Sequence, residues 1–329
     1  MSKIYASITA VGGYLPDYIL NNQELSTMMD TSDEWILTRI GVRERRILKD
    51  KNTGTSYLAA KAIEEILQKK SLAPEAVDLV ICATSTPDHT FPATATVACE
   101  RVGIKGALAF DIQAACSGFI VALTTAAALV ETGRYKKAIV VGAEKMSSIT
   151  DYTDRATAPI FGDGAGAVLV EPTTEAIGVM DSLLYSDPVG VKHLQMKAGG
   201  SAMPASHETV EQGLHYVYQE GQAVFKHAVS DMADVSVEIM KKNGLTGEDV
   251  AWIVPHQANM RIIDAVQQRT GIDYSKVLIN IEHVGNTSAA SIPLGLWEME
   301  KKLKKGDNII LMAFGAGFTW GAVYLKWGY

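Results

Sequence analysis

Three stretches in the second half of this chain repeat three in the first half, in the same order and at an offset of about 170 residues. Asp249-Val250-Ala251-Trp252-Ile253-Val254 resembles Val77-Asp78-Leu79-Val80-Ile81-Cys82. Asn308-Ile309-Ile310-Leu311-Met312-Ala313 resembles Ala138-Ile139-Val140-Val141-Gly142-Ala143. Thr287 to Lys302, a small-residue turn feeding a helix, resembles Cys116 to Thr132. One such likeness is weak, but three in one order argue for a duplicated βαβ-rich half. A two-fold arrangement of the halves brings corresponding turns to one shared central site.

The 329 residues suffice for a sizeable core, and 47% hydrophobic against 20% charged content describes a globular chain rather than a disordered one. A formal net charge of −7 argues against wholesale nucleic-acid binding. The three cysteines, Cys82, Cys99 and Cys116, form no CxxC pair and are odd in number, so neither a disulfide framework nor a zinc site is indicated and no metal is expected. Residues 1–12 lack a basic region followed by an apolar run, and no window approaches the roughly 18 apolar residues of a membrane span. These features lead us to expect a cytoplasmic protein with no membrane partner.

Along the chain, Tyr5 to Val11 reads as a strand. Asn22 to Met29 reads as a helix capped by an asparagine, and Thr31-Ser32-Asp33-Glu34-Trp35 as the start of another that sets Trp35 and Arg39 on one face. Arg43 to Arg46 is basic. Ser56 to Lys69 and Gly221 to Lys242 have helical periodicity, and Pro92 to Val102 is a further helix candidate. Gly162 to Val170 is a glycine-rich turn running into a strand. Without Gly-Lys-Ser/Thr or a following helix it is a poor phosphate cradle. Residues 186–219 carry the least pattern and read as an insertion loop, with His193, His207 and His215 as solvated side chains.

Chemistry concentrates at turns. Ala107 to Asp111 reads as a strand, followed by small residues, Cys116-Ser117-Gly118, and an Ala-, Leu- and Val-rich segment. That places Cys116 at a helix N-terminus, where N–H groups and the dipole favour a thiolate, although a buried inert cysteine is equally compatible with this stretch alone. Val254-Pro255-His256-Gln257 puts His256 at the carboxyl end of a strand, where α/β sheets carry functional residues. His283 competes with it in a poorer context. Asn286, in Gly285-Asn286-Thr287-Ser288, reads first as a helix cap. Together Cys, His and Asn supply a nucleophile and two groups able to stabilise an oxyanion or enolate. Phe314-Gly315-Ala316-Gly317 follows a buried strand, and its glycines let a backbone N–H face a reacting carbonyl.

At these residues the chain resembles the β-ketoacyl-acyl-carrier-protein synthase III family, the initiating condensing enzymes of type II fatty acid synthesis. The matching stretches are DTSDEWILTRIGVRERR, AACSGF, FGDGAGAVLV, EGQAVFKHAV, VPHQANMRII, GNTSAASIP and FGAGFTWGA. The resemblance implies an α/β, thiolase-like fold with duplicated halves in a five-layer αβαβα sandwich, the first half (1–172) carrying the cysteine and the second (173–329) the histidine and asparagine. It implies a homodimer acting on acyl-CoA and malonyl-acyl carrier protein, with coenzyme A thioester as substrate and no cofactor. Cys116, His256 and Asn286 match the catalytic residues, and the N–H groups of Cys116 and Ala316 the oxyanion hole. Trp35, Arg39, Arg155 and Asn259 match coenzyme A-binding positions, with Trp35 and Arg155 sandwiching adenine. Lys226 and Arg261 match carrier-protein docking positions. Phe161 and Phe314 match the acyl pocket, and Phe91 the residue reaching into the partner's pocket.

Other classes fit less well. A papain-like hydrolase shares the Cys–His spacing but needs an aromatic residue where Ser117 stands. A thiolase needs a second catalytic cysteine, and none follows Cys116. A non-catalytic acyl-binding relative would not need the complete Cys-His-Asn set. Related enzymes that start polyketides or alkylquinolones share that set and stay open.

Overall fold

The computed structural model describes residues 3–329. Two sheets organise it. The first contains β1 (Tyr5–Tyr14), β2 (Leu79–Ala83), β3 (Leu108–Ile112), β4 (Ala138–Lys145) and β5 (Asp163–Thr173), in the order β1-β5-β4-β2-β3. The second contains β6 (Gly178–Ser186), β7 (Trp252–Pro255), β8 (Asn308–Gly315) and β9 (Thr319–Lys326), in the order β7-β8-β9-β6. Both follow one plan. β2 pairs parallel with both β3 and β4, as β7 does with β8, and the remaining neighbours β4/β5, β5/β1, β8/β9 and β9/β6 pair antiparallel. Val277 bridges Ile253 in parallel and so occupies beside β7 the place that β3 takes beside β2. Ile81 sits opposite Val140 and Ile253 opposite Ile310, the pairs that the sequence repeat equates.

Each central strand is buried on both faces, and its alternating side chains feed different layers. Leu79, Ile81 and Ala83 of β2 and Ile309, Leu311 and Ala313 of β8 point into a shared inner core. Val80 and Cys82 point outward against helices α1 (Thr55–Lys70) and α2 (Thr94–Val102). Ile310 and Met312 point outward against α4 (Gly221–Lys242) and α5 (Met260–Thr270). The inner layer is α3 (Gly118–Glu131) and α6 (Ser291–Met299), held between the sheets. An apolar helix without a polar face is the expected solution for α3, because sheets flank it. The result is a five-layer αβαβα sandwich. The glycines of Gly162 to Val170 serve this packing: a Cβ at Gly166 would lie 2.5 Å from the backbone nitrogen of Leu294 in α6.

Some local expectations shift. The helix expected over Asn22 to Met29 runs only from Asn22 to Leu25, and its cap is Asn21, whose side chain accepts from the Glu24 N–H. The Arg43 to Arg46 stretch is not simply a basic surface. The Arg45 side chain is buried and donates to the carbonyls of Leu20 and Pro159 and to Asn22 Oδ1 at 2.9–3.0 Å, tying the Tyr18–Asn21/Glu44–Ile47 hairpin to the segment before Phe161. Residues 186–219 have structure of their own: Leu194–Met196 pairs with Val217–Gln219, and His207–Glu211 is a capped helical turn. In both halves the connection from the first strand to the first outer helix is long, 15–54 and 187–220, and both reach the same cavity mouth.

Candidate active site

A cavity of about 1090 Å³ opens over the junction of the halves, and Cys116, His256, Asn286, Phe161, Phe314 and Ala316 all line it. Cys116, His256, Phe314 and Ala316 arrive from the end of a strand or the turn after one, while Phe161 stands just before β5 and Asn286 follows the short helix Ile281–Val284.

Cys116 lies in a single 3₁₀ turn, Ala115–Ser117, between β3 and α3. Ala115 has φ 46° and Ser288, at the equivalent point before α6, has φ 49°. Neither is glycine, so each left-handed residue costs of order 1–2 kcal/mol and persists because its surroundings fix it. The two turns pack against each other at the centre of the molecule. Gly315 permits the end of β8 to press on the nucleophile's turn: a Cβ there would lie 2.7 Å from the Cys116 nitrogen. Ser117 Oγ donates to the Thr319 carbonyl at 2.8 Å and locks the other side.

The thiol keeps part of its surface open to the cavity but sits far below the outer surface. Burial pushes it up to about 12; the Ser288 hydroxyl and the cysteine's own N–H oppose this, and the Glu144 carboxylate adds to it.

His256 is buried, and its backbone N–H donates to the Met312 carbonyl at 2.8 Å. Burial lowers the imidazole to about 3, so it is neutral throughout the physiological range. Its imidazole Nδ1 has no hydrogen-bond partner among the described residues. Gln257, which the sequence reading passed over, fixes the loop: its Oε1 accepts from the N–H groups of Asn280 and Ile281 at 3.0 and 3.1 Å. Asn286 is bolted in place by its backbone, donating to the Ile160 carbonyl at 2.9 Å and accepting from Gly162 at 3.0 Å. Its Oδ1 accepts from the Ser288 N–H at 2.8 Å. The side-chain oxygen is thus committed, and the amide NH₂ is the group left for the cavity. His283 lies elsewhere, exposed and paired with Glu298 at 3.2 Å.

Beneath these residues is a second feature with no signal in the local sequence. Glu144, fully buried at the end of β4, accepts from Thr86 Oγ1 at 2.6 Å, Ser288 Oγ at 2.9 Å and the Ser85 N–H at 3.0 Å. Burial raises its carboxyl above the ordinary range.

At the mouth, Trp35 and Arg39 share the helix Asp33–Arg39, which Ser32 caps by accepting from the Trp35 N–H at 3.1 Å. The Arg155 guanidinium lies 4.3 Å from the Trp35 ring centroid. The two groups touch, whereas a purine between them would need a gap of about 7–8 Å, two stacking contacts of 3.5–4.0 Å each. Asn259 caps α5 by accepting from the Arg261 N–H at 2.9 Å and donates to the Arg39 carbonyl at 3.1 Å. Arg261 lines the mouth with its guanidinium 5.2 Å from the Phe225 ring centroid, and Lys226, the next residue in sequence after Phe225, is exposed. Phe91 does not line the cavity of its own chain and is 83% exposed. Leu194, Met196 and Val217, from the segment that carried least pattern, form much of the wall. Among the described residues no group of three or more His, Cys, Asp or Glu is placed to hold a metal ion, and no helix is long and apolar enough to cross a membrane.

The family models described as 3-oxoacyl-[acyl-carrier-protein] synthase III and its C-terminal part match residues 110–188 and 240–327. A β-ketoacyl-[acyl-carrier-protein] synthase III of Bacteroides thetaiotaomicron is 60% identical over 329 residues, covering 100% of this chain and 98% of its own. The chain belongs to the β-ketoacyl-acyl-carrier-protein synthase III family. A family member from Porphyromonas gingivalis is 56% identical over the same span. Among solved structures, the family enzyme of Aquifex aeolicus is 42% identical, covers 98% of this chain and 100% of its own, and has a TM-score of 0.90. The priming β-ketosynthase of the R1128 polyketide pathway has a TM-score of 0.91 at 31% identity, covering 99% of this chain and 97% of its own. Shape alone does not separate the two; the higher identity favours the fatty-acid members of the family.

Proposed function

We propose that this chain condenses an acyl-CoA primer with malonyl-acyl carrier protein, releasing carbon dioxide and giving a β-ketoacyl carrier protein, the step that initiates type II fatty acid synthesis. The observation that carries this reading is one cavity wall holding a thiol, a neutral buried imidazole and an anchored amide, supplied by both halves of a synthase III chain. Family membership makes the chain an acyl-condensing transferase.

Cys116 attacks the primer thioester, with the N–H groups of Cys116 and Ala316 facing the oxyanion, and coenzyme A departs. Malonyl-acyl carrier protein then loses carbon dioxide, while His256 and the Asn286 amide donate to the developing enolate. The carbanion attacks the acyl-cysteine, the bond from the acyl carbon to the Cys116 sulfur breaks, and the thiolate released takes a proton from solvent. Neutral donors serve this charge, so the mechanism uses no metal or cofactor. We divide the chain into a cysteine half, 1–172, and a histidine–asparagine half, 173–329, and place it in the cytoplasm. We also propose a homodimer: β3 is an edge strand with Leu108 exposed, and we assign the exposed Phe91 to a partner's acyl pocket, together with that pocket's Phe161 and Phe314. The direct test is a panel of acyl-CoA primers with malonyl-acyl carrier protein, scored for condensation product. No product from any primer refutes the reading.

Two residue-level expectations follow from the mouth. If Trp35 and Arg155 open to stack on adenine, with Arg39 and Asn259 beside them, Trp35→Ala slows acylation by acyl-CoA but spares a short thioester lacking adenosine. Equal slowing of both donors refutes the stacking role. If Arg261 and Lys226 dock an acidic carrier protein, Arg261→Glu raises KM for malonyl-acyl carrier protein more than KM for acyl-CoA, and the difference shrinks with added salt. Equal changes in the two constants, without salt dependence, count against docking.

A further inference from the structure

We infer that Gln257 is a positioning residue for the enolate step, holding His256 and Asn286 at the spacing at which both can donate to one oxygen. The inference rests on the reading of His256 and Asn286 as donors to the malonyl enolate and adds the part that sets their spacing. Gln257 is 1% exposed, and while its neighbours His256, Ala258 and Asn259 line the cavity, it does not. It therefore acts through other groups, and not by touching substrate or carrier protein.

Every polar group of the Gln257 side chain is committed. Nε2 donates to the Pro255 carbonyl at 3.0 Å and the Leu278 carbonyl at 3.1 Å, and Oε1 accepts from the N–H groups of Asn280 and Ile281 at 3.0 and 3.1 Å. Two carbonyls on one side and two N–H groups on the other admit one orientation of the amide. The backbone N–H of Gln257 donates to Ser291 Oγ, at the first residue of α6, at 2.8 Å. One buried residue thus ties together the end of β7, the segment 278–281 and the start of α6.

The first two of these pieces lead directly to the donors. His256 stands between Pro255 and Gln257. Ile281 opens the short helix Ile281–Val284, which closes with the Gly285 N–H on the Ile281 carbonyl at 2.9 Å, and Asn286 follows. That helix has no cap of its own. The Asn280 side chain donates to Glu298 at 2.9 Å instead, so Gln257 satisfies the first N–H groups from outside. The covalent path from His256 to Asn286 detours through the whole of α5 and does not fix their spacing. Their backbone anchors also lead apart: His256 to Met312 on β8, Asn286 to Ile160 and Gly162 of the first half. The Leu278 N–H on the Ile253 carbonyl at 2.9 Å aligns the two segments, and Gln257 carries that alignment to the residues nearest the donors. Two donors stabilise one oxygen only when both lie within hydrogen-bond reach of it, and a displacement of about 1 Å costs about 100-fold.

The test is Gln257→Glu in the full chain, measured separately for transfer of a labelled acyl group to Cys116 and for carbon dioxide release from malonyl-acyl carrier protein. Glutamate keeps the size and the acceptors for Asn280 and Ile281, but once ionised it cannot donate to Pro255 and Leu278. The kcat of decarboxylation should fall about 10- to 100-fold, with KM for malonyl-acyl carrier protein within about twofold of native and acylation slowed by less than about threefold. In a His256→Ala background the same substitution should cost less than about threefold, because one donor alone has no partner to be spaced from. A full multiplicative loss in that background, or equal losses in acylation and decarboxylation, shows a role in folding alone and overturns the inference. A raised KM with kcat unchanged shows carrier-protein binding and overturns it too. If Gln257→Glu fails to fold, Gln257→Asn, which keeps the amide but draws it back by one methylene, is read by the same criteria. A native chain that releases no carbon dioxide brings down the enolate reading itself, whatever the Gln257 variants do.

Discussion

Cys116→Ser is expected to leave no detectable acyl adduct after incubation with acyl-CoA, a loss of roughly 10⁴–10⁶ in acylation rate, the scale seen when a catalytic nucleophile is removed. The serine hydroxyl fits the same turn and keeps Ala115 in its left-handed conformation, so the fold should survive. The hydroxyl's far higher pKa makes the burial that already disfavours the thiolate prohibitive for an alkoxide. Cys82 and Cys99 serve as internal controls: both are buried outside the cavity wall, and burial raises both. An adduct of normal yield in Cys116→Ser, or an adduct mapped to either control, refutes the assignment.

His256→Ala should separate the two half-reactions. Acyl transfer depends on Cys116 and backbone N–H groups and should stay substantial. Carbon dioxide release from malonyl-acyl carrier protein should fall roughly 100- to 1000-fold, the effect of losing one donor to a developing oxyanion. Asn286→Ala should lose decarboxylation as heavily and also release the Ser288 N–H that Asn286 Oδ1 holds. Asn286→Asp divides these roles: it keeps an acceptor for Ser288 and replaces the donor with a carboxylate that repels an enolate. The measurements are transfer of labelled acyl groups to protein and labelled carbon dioxide release. Decarboxylation at the native rate in Asn286→Asp would return Asn286 to a cap of the turn before α6.

Much of this arrangement could be read from the chain, and the rest has a common physical character. Strands such as Leu79–Ala83 and the helix Gly221–Lys242 announce themselves through periodicity, and Cys116 and His256 through their places at strand-to-helix turns. Glu144 announces nothing. It closes an apolar run that reads as an ordinary strand, and its bond to Ser288 joins residues 144 positions apart. Arg45 is similar: within Arg43 to Arg46 it looks like surface charge, yet it donates to Pro159, 114 positions away. Gln257 acts across 23 residues on Asn280. Local pattern reports whether a residue faces a core, but not which distant polar group needs a partner there. Residues 186–219 escaped for another reason: their short strands pair only with each other, and they line the cavity through scattered apolar side chains instead of one periodic face.

The two long connections, 15–54 and 187–220, leave their halves at the same point of the repeated plan. One brings Trp35 and Arg39 to the mouth; the other brings Leu194, Met196 and Val217 to the wall. The reacting groups come from neither. Duplication thus yielded two sites of variation over a fixed chemical centre, which meet in the apolar cluster that Val217 shares with Trp35, Ile36 and Ile40. A chimera carrying another member's 187–220 segment should exchange primer preference as a module, while its affinity for the nucleotide end of the donor stays with the parent.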